Sequence, residues 1–274
     1  MTTPETIGLI AGRGKLPLLF CRCAKEAGVK HLSVIAMYEE TDPKIEELAD
    51  HVDWLHVGQI KKACKALRRQ GVSQAVMAGQ VKPSKLFKGI RPDLKAIKIL
   101  WSLKEKNADT LFGALCKAFG EEGIEIINST TFLEAFLAPV GTMGKVKPNK
   151  RQLAEIAYGQ KVAREISRLD IGQTVVVKKG TILAIEGFEG TDKAIRRGGE
   201  LGHGGACVVK VAKPNHDMRF DVPCIGMRTV ESIIAAKIKT LAVHAGKTIF
   251  VEKEDTINAL NKAKVAVVGI ECDW

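Results

Sequence analysis

The sequence predicts an α/β protein in two parts, an N-terminal Rossmann-like parallel-sheet domain and a C-terminal mixed α/β domain. Three observations carry this. Short apolar runs alternate with amphipathic stretches through the first half, the pattern of parallel strands joined by helices. A glycine turn, Gly12-Arg-Gly14, separates the first apolar run from the first helical stretch, where a Rossmann unit places its phosphate loop. The second half carries a hairpin signal, which marks antiparallel pairing.

The elements follow in chain order. Ile7–Ala11 reads as a buried strand, Leu16–Ala27 as a helix stopped by Gly28, and Leu32–Ala36 as a second strand. Gln59–Gln70 is helical, with Ile60, Ala63, Cys64 and Leu67 on one face and Gly71 closing it. Gln74–Ala78 is a third strand, Asp109–Glu122 a helix and Ile124–Ile127 a fourth strand. Two prolines and two glycines between Ala138 and Pro148 suggest a linker over 139–148. The domains then span 1–138 and 149–274. Asn149 can cap a helix reaching Arg168. Thr174–Lys178 and Thr181–Glu186 form a hairpin about Lys179-Gly180. Strands at Cys207–Ala212 and Thr248–Val251 and helices at Thr229–Lys237 and Glu254–Ala263 complete the unit.

Of the 274 residues, 46% are hydrophobic and 27% charged, enough apolar material for real cores. No apolar run has the length of a membrane span, and the first residues lack the regions of a signal peptide, so a cytoplasmic protein is expected. Seven cysteines, without a CxxC, fit buried thiols in a reducing compartment better than a zinc site. The net charge of +11 favours an anionic partner. Aromatics make up only 5% and the lysines are scattered, which argues against nucleic acid.

Four stretches could carry chemistry. In Asp217-Met-Arg-Phe-Asp221, an extended backbone would put Asp217, Arg219 and Asp221 on one face. Two carboxylates can hold a hard cation and a guanidinium can grip phosphate; a salt-bridge ladder is the alternative. Glu186-Gly-Phe-Glu189-Gly-Thr191-Asp192 leads from a strand into a charged helical stretch, Lys193–Arg197. Its helix start could bind phosphate through Thr191 and Asp192, or these residues could simply cap the helix. Lys210 and Lys213 could meet a diphosphate or balance nearby acids, and His216 reads as structural. The Gly12–Gly14 loop has Pro17 where a dinucleotide fingerprint has its last glycine, and no G-K-[ST]. A nucleotide contact and a plain strand–helix turn both remain open there.

Together these pieces resemble the LpxI-type UDP-2,3-diacylglucosamine pyrophosphatases of lipid A biosynthesis. The resemblance covers nearly the whole chain. It rests on Ile10–Pro17, Gly79-Gln80-Val-Lys-Pro83, Asp170–Val177, Ala184–Asp192 and Lys210–Gly226. It implies a two-domain enzyme that binds its substrate between the domains. It also implies a divalent cation, Mg2+ or Mn2+, and water attack at the α-phosphorus, giving UMP and 2,3-diacylglucosamine 1-phosphate. Asp221 matches the family's catalytic acid, with Asp217 and Glu189 as further metal-ligand candidates. Gly12, Gly14, Gly79, Gln80, Thr191, Asp192, Lys210, Lys213 and Arg219 are the substrate-binding candidates. The UDP-linked diacylated glucosamine is the implied partner. Peripheral association with an anionic inner-membrane surface and a homodimer are further expectations. The competing readings are an NAD(P)-dependent oxidoreductase and a non-catalytic module that docks on anionic lipid.

Overall fold

A computed structural model describes residues 3–81, 91–103, 108–214 and 217–272. The Lys82-Pro83 and Asn215-His216 parts of the motifs above lie outside the described residues. The chain divides into two units, Met1–Glu134 with Asp217–Asp221, and Ala135–His216 with Val222–Trp274.

The first unit is built on five parallel strands: β1 (Thr6–Ala11), β2 (His31–Met37), β3 (His51–Leu55), β4 (Gln74–Ala78) and β5 (Glu125–Ile126). Their order is β3-β2-β1-β4-β5. The order reverses between β1 and β4, so the crevice at their carboxyl ends is a topological switch point, where ligands of open α/β sheets bind. Gly12 leaves β1 there, and Gly79 leaves β4. Among the described residues, four α-helices accompany the sheet: α1 (Leu16–Glu26), α2 (Ile60–Arg69), α3 (Leu94–Ser102) and α4 (Ala108–Gly120). α2 buries Ala63, Cys64 and Leu67 in one cluster with Ile10, Ala75 and Met77 of the sheet, which its 3.6-residue spacing dictates.

The second unit has a six-stranded mixed sheet. Its strands are β6 (Gly141–Met143), β7 (Thr174–Lys178), β8 (Thr181–Ile185), β9 (Cys207–Lys210), β11 (Thr240–His244) and β13 (Ala266–Ile270), in the order β6-β13-β11-β9-β7-β8. β10 (Cys224–Ile225) and β12 (Ile249–Phe250) make a separate two-stranded pair. Alternate residues of the six-stranded sheet go to opposite faces. Val175, Val177 and Val209 cluster with Ile156, Ala163 and Ile166 of helix α5 (Lys150–Arg168). Val176, Val208 and Leu241 cluster with Ile195 of α6 (Thr191–Gly202), Ile233 of α7 (Met227–Ala235) and Leu260 of α8 (Lys253–Lys262). Each fully buried Ile or Leu contributes roughly 2 kcal/mol over exposure. Asn149 and Gln152 form a capping box at the start of α5. Lys179 (φ +48°) and Gly180 (φ +76°) make the hairpin turn between β7 and β8.

Several expectations need correction. The segment 139–148 is not a linker, because β6 pairs antiparallel with β13 through Met143, Thr142 and Gly141. Its glycines serve an edge strand. Thr248–Val251 contributes only two residues of strand, and those lie outside the main sheet. The helix expected over Lys193–Arg197 extends over all of α6. Within 149–274, Asp217–Asp221 groups by contact with the first unit. None of the seven cysteines is in a disulfide, and six are buried. Burial pushes Cys21 up to about 12 and Cys64 up to about 11, so these are inert core residues.

Candidate active site

The Asp217–Asp221 segment is a turn, not an extended strand. The backbone N–H groups of Phe220 and Asp221 both donate to the Asp217 carbonyl, at 3.2 Å. Curling the backbone removes the shared face on which the two carboxylates and the guanidinium were expected. Arg219 instead folds back on Asp217. Its Nε lies 2.9 Å from Oδ1 and its Nη2 2.6 Å from Oδ2. This fork raises the Arg219 pKa. The turn is fixed within the first unit by two further contacts. The Phe220 ring stacks on Phe112 of α4, with centroids 5.2 Å apart. Buried Ser129, just after β5, donates its N–H to the Met218 carbonyl at 2.8 Å and holds its Oγ 2.7 Å from the Arg219 carbonyl. Asp221 is thus the last residue of a turn held by these hydrogen bonds and the ring stacking.

At the switch point, the loops after β1 and β4 are bonded to each other. The Arg13 N–H donates to the Gln80 carbonyl at 2.7 Å, and the Gln80 N–H returns to the Arg13 carbonyl at 3.1 Å. The Gly12 N–H goes to the Ala78 carbonyl at 2.8 Å. A Cβ on Gly12 would lie 2.6 Å from the Gln80 carbonyl oxygen, and one on Gly79 (φ +91°) 2.7 Å from that of Arg13. The close crossing of two backbones accounts for both glycines. Gly14 (φ +95°) faces open space and is required by its backbone conformation alone.

The remaining candidates gather at one end of the second unit's sheet. Lys210 ends β9 and is 4% exposed. Its ammonium donates to Thr191 Oγ1 at 2.9 Å and lies 3.4 Å from Thr174 Oγ1. Thr191 opens α6 and donates its hydroxyl to Glu186 Oε1 at 2.8 Å. Asp192 accepts from Thr229 Oγ1 at 2.9 Å and from Arg228 Nη2 at 3.2 Å, which ties the first turn of α6 to that of α7. Glu189 pairs with Arg197 at 2.6 Å and accepts from the Gly187 N–H at 3.1 Å. The Arg197 guanidinium holds its carboxyl below the usual range. Lys213 pairs with Asp170 at 2.5 Å. Phe188, on the same loop, is 98% exposed.

The structure therefore brings Thr191, Asp192, Lys210 and Glu189 onto one edge of the second unit. Gly12, Gly14, Gly79, Gln80, Asp217, Arg219 and Asp221 belong to the first. Sequence reasoning missed Thr229, Arg228 and Thr174, and Glu186 as a partner for Lys210. Thr229 lies 37 positions from the acid it meets, a separation that no local pattern reports.

Of the metal-ligand candidates Asp217, Asp221 and Glu189, two are engaged by arginines in this structure. Both oxygens of Asp217 are held by Arg219, and both of Glu189 by Arg197 and the Gly187 N–H. Among the described residues, no three His, Cys, Asp or Glu side chains gather as a metal centre.

Comparison with known proteins covers the chain from end to end. Residues 6–136 match the sequence model described as the LpxI N-terminal domain, and residues 139–268 the one described as the LpxI C-terminal domain. The UDP-2,3-diacylglucosamine pyrophosphatase LpxI of Caulobacter vibrioides is 33% identical over 97% of each chain. Among solved structures, the biotin carboxylase domain of 2-oxoglutarate carboxylase from Hydrogenobacter thermophilus is 14% identical over 65% of this chain, with a TM-score of 0.28. The biotin carboxylase subunit of a pyruvate carboxylase is 14% identical over 69%, also with a TM-score of 0.28. The chain spans 35% and 36% of those two structures, and likeness at that level carries no argument.

Proposed function

This chain belongs to the LpxI family, and on that premise we propose that it hydrolyses the diphosphate of UDP-2,3-diacylglucosamine to UMP and 2,3-diacylglucosamine 1-phosphate. The observation that carries the reading is the match of both domains to a relative of that activity at 33% identity over 97% of each chain. The anchored turn ending in Asp221 supports it, because a hydrolase that uses water rather than a covalent nucleophile needs a fixed polar group to orient that water.

In this reading Asp221 is the catalytic residue. Arg219 and Lys213, each now paired with an acid, exchange that partner for phosphate oxygens when the diphosphate binds. Within the second unit, the first turn of α6, with Thr191 and Asp192 at its start, is the phosphate contact we propose. Within the first unit, Gly12, Gly14, Gly79 and Gln80 are the substrate contacts we propose at the switch-point crevice. The cation that the family implies, Mg2+ or Mn2+, would neutralise charge on the non-bridging oxygens. Asp221 is the protein carboxylate we propose for it. The acyl chains and the net charge of +11 favour work at an anionic membrane surface in the cytoplasm. Among the described residues, no helix is long and apolar enough to cross a membrane. A homodimer is the assembly we propose, to be read by sedimentation.

Release of UMP from UDP-2,3-diacylglucosamine, with and without Mg2+, tests the function. Asp221→Asn should lower turnover by roughly two orders of magnitude with little change in melting temperature. A destabilised variant with normal turnover per folded molecule would remove Asp221 from the mechanism. Hydrolysis in 18O water identifies the phosphorus attacked. Label in UMP reports the α-phosphorus that the family resemblance implies, and label in the sugar 1-phosphate reports the β-phosphorus.

A further inference from the structure

We propose that the outer faces of α2 and α3 form a docking surface for an anionic lipid bilayer, with Leu94 and Trp101 entering the headgroup layer and the lysines around them meeting lipid phosphates. The proposal deepens the function given above and rests on it, since a substrate with two acyl chains resides in a membrane.

The two helices make one platform within the first unit. Asp93 caps α3 by accepting from the Ala96 N–H at 3.0 Å, and its other oxygen accepts from the Lys61 N–H of α2 at 2.6 Å. Glu122 pairs with Arg68 of α2 at 3.2 Å and with Lys95 of α3 at 2.8 Å. One carboxylate therefore joins the two helix starts, and another bridges their flanks. α2 turns Ala63, Cys64 and Leu67 into the core, which leaves Lys61, Lys62 and Lys65 exposed. On α3, Leu94, Lys98 and Trp101 recur at the spacing of one helical face. Leu94 is 77% exposed and Trp101 86% exposed, with exposed Lys98 between them.

Two features identify the occupant. The first is charge. Neither helix contains an Asp or a Glu. Among the described residues, Arg68, Arg69 and Lys95 are paired with acids, while Lys61, Lys62, Lys65 and Lys98 are in no ion pair. Their charge is uncompensated and complements an anionic surface. The second is the apolar pair itself. Trp joins an apolar ring to a polar N–H and favours the membrane interface. An interfacial helix buries Trp and Leu while its lysines reach up to the headgroups. The core of a protein interface is depleted of lysine, and a nucleic-acid backbone gives Leu94 nothing apolar to bury against. A lipid surface satisfies both kinds of side chain at once.

Co-sedimentation of the full chain with phosphatidylglycerol vesicles and with phosphatidylcholine vesicles tests this. The chain should bind the first, lose most of that binding in high salt, and bind the second far more weakly. Changing Lys61, Lys65 and Lys98 together to Gln should weaken binding roughly a hundredfold, and Leu94→Ser with Trp101→Ser roughly tenfold. Tryptophan emission should shift to the blue on phosphatidylglycerol vesicles, and Trp101→Phe should remove the shift. The variants replace exposed side chains, so melting temperature and UMP release from detergent-dispersed substrate should stay at the wild-type level. No binding of phosphatidylglycerol vesicles by the wild type, or equal binding by the wild type and both multiple variants, overturns the proposal. Self-association of the wild type that is lost with Leu94→Ser and Trp101→Ser assigns the face to a second copy of this chain and overturns it too. Vesicle binding by a wild type that releases no UMP supports the docking surface and removes the proposed function. UMP release without vesicle binding does the reverse.

Discussion

After β1 the chain passes through Gly12-Arg13-Gly14 into α1, and after β8 it passes through Gly187-Phe188-Glu189-Gly190 into α6. Both are glycine-flanked junctions at the carboxyl end of a strand. In the first, the N–H of Gly12 is consumed by Ala78 at the end of β4 and that of Arg13 by Gln80 in the loop that follows. Gly12 is required because another backbone lies against it. In the second, the loop exposes Phe188 almost completely and leads into a helix end that no side chain caps. Beneath it sit a buried lysine and a buried glutamate. A glycine loop between strand and helix is therefore not a phosphate site by virtue of its glycines. The fate of the N–H groups, and of the polar side chains beside them, decides what it can bind.

The comparison can be broken most sharply at Gly79. An alanine there would have to hold φ near +91° with its Cβ 2.7 Å from the Arg13 carbonyl. A loss of about 3 kcal/mol or more is expected, measured as a shift in the urea midpoint. An unchanged midpoint would show that the crossing relaxes freely. Thr191→Val comes next. It removes both hydrogen bonds of the second junction's buried chain and should cost about 2 kcal/mol, with a rise in KM that the first junction's variants do not share. Gly14→Ala meets nothing within 4 Å and has only its φ of +95° to bear. It should cost about 1 kcal/mol, and a larger loss would mean that the first loop is more tightly built than its packing indicates.

The smallest effect is at Glu189. Its folded pKa is depressed by Arg197. The pair's contribution is therefore fully present above the ordinary carboxylate range and is lost as pH falls through the lower folded value. The pair is substantially solvated, so no more than a few tenths of a kcal/mol is expected. Comparing acid unfolding of the wild type with Glu189→Gln reads this. A stabilising effect that persists below the folded pKa would contradict the pairing.

Much of the fold was legible because it is local. The spacing of Ala63, Cys64 and Leu67 fixes the buried face of α2, Asn149 with Gln152 caps α5, and Lys179-Gly180 turns the hairpin. Strands β11 and β13 went unrecognised. Both follow helices that end without glycine. Lys237 (φ +52°) and Lys264 (φ +56°) adopt the left-handed conformation at those ends, so the usual punctuation is missing. β3 is half-buried along its whole length and mixes His51 and Asp53 with apolar residues, which hides its period. At the site, the residue types of the Asp217–Asp221 run were informative and its conformation was not. An alternating pattern suggests an extended strand, but the bonds from Phe220 and Asp221 back to Asp217, and the stacking of Phe220 on Phe112, impose a turn.

By itself the sequence determined the α/β class, the principal helix faces, the hairpin and the family, because each depends on residues near one another in the chain or on motifs read whole. Only the tertiary structure decided that 139–148 adds an edge strand, that Asp221 belongs to the first unit, and that Thr191 is held between Lys210 and Glu186. Those outcomes rest on hydrogen bonds between groups separated by many residues. Such pairs form only where burial removes competing water and makes an unmet polar group costly.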